Sequence, residues 1–158
     1  MCRLFRTVDE QPPGKWHRRV VTGSWKRSDG TAIGCRGEMG QAPQFRLVVD
    51  RPADVFLTLT LDSFDHDDEP SIALFLLAPS SNPYVSGGRK RVKRRTTTNG
   101  VASSSPFTNL STVSVSAPNL GVQEEGYTIV PLSYDAGSEA EWTISVFCER
   151  PFGLSALP

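Results

Sequence analysis

The chain has 158 residues, 38% hydrophobic and 22% charged, with Lys plus Arg and Asp plus Glu equal at 17 each. That length fits one ordinary domain able to stand without metal or disulfide staples, and the balanced net charge decides nothing about partners. Three scattered cysteines argue against a disulfide framework or a zinc site, and no apolar run is long enough to span a membrane.

Residues 1–20 read as a basic, irregular lead-in broken by Pro12-Pro13-Gly14. They lack the apolar centre of a signal peptide, and Cys at position 2 excludes N-myristoylation while leaving palmitoylation of Cys2 open. From Val20 onward, short strand patterns alternate with turn signals. Residues 42–49 lead from an Ala-Pro-Gln turn into an apolar alternation. Residues 55–61 give the clearest pattern: Val55, Leu57, Leu59 and Leu61 fall on one face, Thr58 and Thr60 on the other. Residues 71–78 are almost continuously apolar and suit a central sandwich strand, although pattern alone does not exclude a short buried helix. Residues 96–109 are poor in apolar side chains and read as a mobile loop, and 110–116 alternate again. Residues 127–134 and 140–148 close the series as a pair joined by the turn-forming Asp135-Ala136-Gly137-Ser138. The expected fold is therefore all-β, an antiparallel β-sandwich of about eight strands over 21–150, with a tail at 151–158.

Trp25, the Gly34-Cys35 pair and Ala42-Pro43-Gln44-Phe45, followed late in the chain by Tyr127, Ile129, Val130, Pro131, Gly137 and Trp142, resemble the C2-like β-sandwich of calpains known as domain III. Ala42 departs from the Asn expected there. Pro131 within a strand implies an edge or a bulge. The resemblance implies a noncatalytic regulatory module associated with a cysteine protease. A protease core also fails on the residues themselves, since the only histidines are His17 and His66, neither in a setting that supports a thiolate pair. The chain is expected not to be an enzyme.

Two charged runs are the candidate sites. Asp62, Asp65, Asp67, Asp68 and Glu69 supply hard oxygen donors of the kind calcium prefers, on a loop between two strands. The resemblance implies an acidic loop there, and the plainer reading is a solvated tip. Calcium is thus a candidate ligand, and no cofactor is required. Arg89, Lys90, Arg91, Lys93, Arg94 and Arg95 concentrate six of seventeen basic residues in one run. At about 1 kcal/mol per basic residue near an anionic membrane, such a run supports reversible attachment. A solvated loop, a protein partner, a calpain catalytic chain among them, or nuclear import are the other readings. No aromatic interleaving accompanies the run, which argues against nucleic acid. The expected setting is cytoplasmic, at a membrane periphery or on the cytoskeleton. The expected function is binding or regulation, with a subunit of a calpain system or a cytoskeletal scaffold as alternatives.

Overall fold

A computed structural model describes residues 16–158, so Cys2 and the Pro12-Pro13-Gly14 break lie outside the described residues. Among the described residues nine strands build two antiparallel sheets: β1 (His17–Trp25), β2 (Phe45–Val49), β3 (Ala53–Phe64), β4 (Ile72–Leu77), β5 (Gly100–Ser103), β6 (Thr112–Leu120), β7 (Tyr127–Ser133), β8 (Ala140–Cys148) and β9 (Phe152–Ala156). One sheet runs β1-β8-β3-β6, the other β5-β4-β7-β2-β9. The expected all-β sandwich is the fold found. Among the described residues there is no α-helix, and no helix is long and apolar enough to cross a membrane.

The alternation in β3 places Val55, Leu57, Leu59 and Leu61 in the core between the sheets, with Thr58 and Thr60 outward. Trp25 and Trp142 meet there with ring centroids 6.0 Å apart, and Phe45 from the opposite sheet meets Trp142 edge-on at 6.0 Å. The Trp25 indole donates to the Pro131 carbonyl at 3.3 Å, which ties the two sheets together. Gly23 pairs with Trp142 in register, and any Cβ at that position would run into the indole. The sheet therefore needs glycine there for space.

Strands β4 and β7 are buried along their whole length. Their inner residues, such as Leu74 and Ile129, join the core, while Ala73, Phe75, Leu77, Val130 and Leu132 form a second apolar cluster on the outer face. Burial on both faces explains why residues 71–78 read as continuously apolar. The second cluster is covered by Ala42, Ile33 and Met39 from one connection and Val92 from the basic run.

Several expectations are corrected. Strand β1 takes in residues 17–20 and β9 lies in the expected tail, because edge strands with one paired neighbour carry little apolar alternation. In β1, Arg18 and Arg19 lie over the Phe147 and Phe152 rings at 5.8 and 5.9 Å. The stretch read as a mobile loop contains β5. The last two predicted strands are not a hairpin: β7 pairs with β4 and β2, whereas β8 pairs with β1 and β3. The Asp135–Ser138 connection crosses between sheets, held by Gly137 N–H donating to the Ala32 carbonyl at 2.8 Å. A short Gly-containing turn permits either route, and only packing chooses.

Pro131 sits inside a central strand, yet it behaves as an edge residue. Opposite it, Leu74 directs both backbone groups away, to Ser104. Pro131 therefore turns its own nitrogen and carbonyl to the other side, where β2 pairing stops at Ile129 and Trp25 takes the carbonyl.

Candidate functional site

The acidic run lies on the connection from β3 to β4. Asp62, near the end of β3, accepts a hydrogen bond from the Thr143 hydroxyl at 2.6 Å. Asp65 caps a 3-10 turn at His66–Asp68, its carboxylate accepting from Asp67 N–H at 3.0 Å. His66 packs edge-on against Phe64 at 5.1 Å. Asp67, Asp68 and Glu69 are exposed. Among the described residues no three His, Cys, Asp or Glu side chains form a group that could hold a metal ion. The β3–β8 register adds Glu141, opposite Ser63, to this end of the sandwich, and Glu139, just before β8, joins it in lining a cleft of about 320 Å³. Both were invisible beside the acidic run because about 70 residues separate them from it. Glu139 accepts from the Arg27 backbone N–H at 2.8 Å, and this bond holds its carboxyl below the ordinary carboxylate range.

The basic run follows β4 and crosses back over the outer face of its sheet as an extended strap. The strap starts at Gly88, whose N–H donates to the buried Thr128 hydroxyl at 3.0 Å. Gly88 adopts φ 66° against the backbone of Glu125, a place no side chain fits. Farther on, Val92 is fully buried in the outer cluster. The Gln44 side chain accepts from Val92 N–H at 2.7 Å and donates to the Val92 carbonyl at 2.8 Å, imitating a strand pairing. The same amide donates to the Met39 carbonyl at 2.8 Å. Gln44 is 2% exposed, so these bonds satisfy groups that water does not reach.

The six cations of the run separate into three roles. Arg91 is withdrawn from the binding set assigned to it by sequence. Its guanidinium donates to the carbonyls of Gly40 at 2.6 Å, Leu157 at 3.1 Å, Pro158 at 3.2 Å, and Ala42. Burial lowers its pKa from the ordinary value. Arg89 and Lys90 are exposed on the turn that opens the strap. Lys93, Arg94 and Arg95 are exposed along one side of a cleft of about 420 Å³. Arg95 lies over the Phe75 ring at 4.6 Å.

Side chains remote in sequence complete this cleft. Phe107 stands 6.0 Å from Phe75 and 5.5 Å, edge-on, from Tyr134, and Leu132 and Cys35 also line the space. The only local signal of this grouping is the large aromatic side chain of Phe107 in a stretch poor in apolar residues. Cys35 is half-buried and its backbone N–H donates to the Tyr134 carbonyl at 3.0 Å. No histidine lines the cleft. Cys148, at the end of β8, is buried among core residues, which raises its thiol pKa and leaves it to pack as a small hydrophobe.

No protein-family model matches the chain, and no curated protein matches it. Solved structures that match weakly include a mitogen from Yersinia pseudotuberculosis, at 10% identity and a TM-score of 0.33, covering 82% of this chain and 84% of that one. An Israeli acute paralysis virus particle matches at 16% identity and a TM-score of 0.37, covering 86% of this chain and 60% of its own. The K1 cleaved adhesin domain of Lys-gingipain from Porphyromonas gingivalis matches at 8% identity and a TM-score of 0.35, over 90% and 95%. Likeness at this level says nothing about what the chain binds.

Proposed function

We propose that the chain is a noncatalytic β-sandwich binding module that uses its basic strap to hold anionic phospholipid surfaces. One observation carries this reading: Gln44 and Val92 fix the strap backbone, while Arg89, Lys90, Lys93, Arg94 and Arg95 remain exposed along it. A pinned backbone spares the membrane-bound state the entropy of ordering a free loop. Five cations at about 1 kcal/mol each give roughly 5 kcal/mol, enough for reversible peripheral attachment that weakens with salt. The resemblance to calpain domain III supports the same reading, with the acidic end of the sandwich as a calcium-responsive element. A protein partner, such as a calpain catalytic chain or a cytoskeletal element, is the alternative reading of the same cations.

Co-sedimentation with phosphatidylserine-containing and pure phosphatidylcholine vesicles tests the proposal. Binding is expected to the anionic vesicles alone, to fall as salt rises, and to be lost when Arg89, Lys90, Lys93 and Arg94 are all changed to Gln. Calcium dependence that disappears in an Asp65→Asn, Asp67→Asn, Asp68→Asn variant adds the metal. Absence of vesicle binding at low salt rejects the lipid reading and favours a protein partner.

A further inference from the structure

We infer that the cleft beneath the strap binds a phosphorylated aromatic side chain, a phosphotyrosine presented by a partner protein. This goes beyond attachment to a membrane, because Arg89 and Lys90 do not line the cleft and its apolar floor is not needed for surface charge.

The cleft has two chemically distinct parts. Its floor is apolar and aromatic, formed by Phe75, Leu132 and Phe107. The exposed Lys93, Arg94 and Arg95 make its rim, and Glu38 is the one carboxylate in its lining. Among the described residues the only ion pair is Arg27–Glu139, so none of the three rim cations is neutralised by one. Arg95 is held over Phe75, which fixes one guanidinium at the junction of floor and rim. A volume of about 420 Å³ lies within the range of small-ligand sites.

A ligand that fills both parts has a rigid apolar body and a concentrated negative charge. A phosphorylated tyrosine meets this, with an aromatic ring for Phe107 and roughly two negative charges on three acceptor oxygens for the cations. The phosphodiester of a lipid head brings one charge and no aromatic ring. Phosphoserine brings the charge but leaves the floor empty.

Cys35 provides the readout, because it lines the cleft while Cys148 is buried. In the full chain carrying Cys2→Ser, Cys35 alkylation is timed by peptide mass spectrometry. Parallel calorimetric titrations use a phosphotyrosine peptide, its unphosphorylated and phosphoserine forms, phenyl phosphate and inorganic phosphate. The phosphotyrosine peptide and phenyl phosphate are expected to bind and slow alkylation. The phosphoserine and unphosphorylated peptides are expected to bind at least about tenfold more weakly. Arg94→Glu should weaken phosphotyrosine binding by at least about tenfold at unchanged Tm. Paired Arg89→Glu and Lys90→Glu should leave it intact, whatever they do to vesicle binding. Equal protection by inorganic phosphate and phenyl phosphate overturns the proposal, as does indifference to phosphorylation or the absence of any protection. Protection by phosphatidylserine vesicles but not by the peptide overturns it in favour of a lipid occupant. A wild-type chain that binds the peptide but no anionic vesicle at low salt sinks the membrane reading alone.

Discussion

Replacing Gln44 with leucine tests whether the strap is a built part of the fold. The substitution puts an apolar side chain of similar size in its place and deletes both polar ends of the amide. It removes the two bonds to Val92 and the one to Met39, at 2.7, 2.8 and 2.8 Å. At about 1 kcal/mol net per bond, the loss is about 3 kcal/mol. It grows if the freed Val92 groups stay buried without partners, and shrinks if the strap lifts to solvate them. Lifting in turn exposes Val92, now fully buried, at about 1.5–3 kcal/mol for a side chain of this class. The two routes therefore converge on a few kcal/mol. For a domain of this size that corresponds to a fall in Tm of about 6–12 °C. Differential scanning calorimetry measures the shift, and limited trypsinolysis locates it, since six cleavable residues lie in 89–95. Cleavage confined to the strap should accelerate about a hundredfold if local opening becomes easier by about 3 kcal/mol. A variant with wild-type Tm and wild-type cleavage rate at 89–95 would falsify the claim that Gln44 holds the strap.

Two further substitutions test the rest of the framework. Gly23→Ala places a methyl group against the Trp142 indole in the core and should destabilise by about 1–3 kcal/mol in urea unfolding, with an unchanged m-value. Wild-type stability would show that the two strands part freely at Gly23. Glu139→Gln addresses acid stability. The Glu139 carboxyl is held below its ordinary pKa chiefly by the Arg27 N–H, so the folded state favours its ionised form. Its contribution is therefore complete above the ordinary carboxylate range and is lost as pH falls through the lowered value. The variant should lose stability near neutrality and converge with the wild type in acid. A constant difference across the whole pH range would remove the ionised carboxylate from the explanation.

The amino-acid sequence alone determined the strands with a clear buried face. Val55 to Leu61 alternate because one face meets the core, and 71–78 do not alternate because both faces are covered. Both signals are local, and both survive in any arrangement of the sheets. Charge was equally legible, down to the two runs that mark the candidate sites. Routing was not: Asp135–Ser138 supports a hairpin or a crossover equally well, and the Ala32 contact that settles it lies 105 residues from Gly137. The first residues of the edge strand β1, 17–20, and the whole of β9 escaped notice because half-exposed strands need not alternate, and the Pro131 exception required knowing where β2 stops. The candidate site divides the same way. Sequence places six cations in seven positions, but only the carbonyls of Gly40, Ala42 and Leu157 separate Arg91, a structural anchor, from its exposed neighbours. Only the tertiary structure brings Phe107, Phe75 and Leu132 into one cleft with Lys93 and Arg94, because hydrophobic burial is indifferent to distance along the chain.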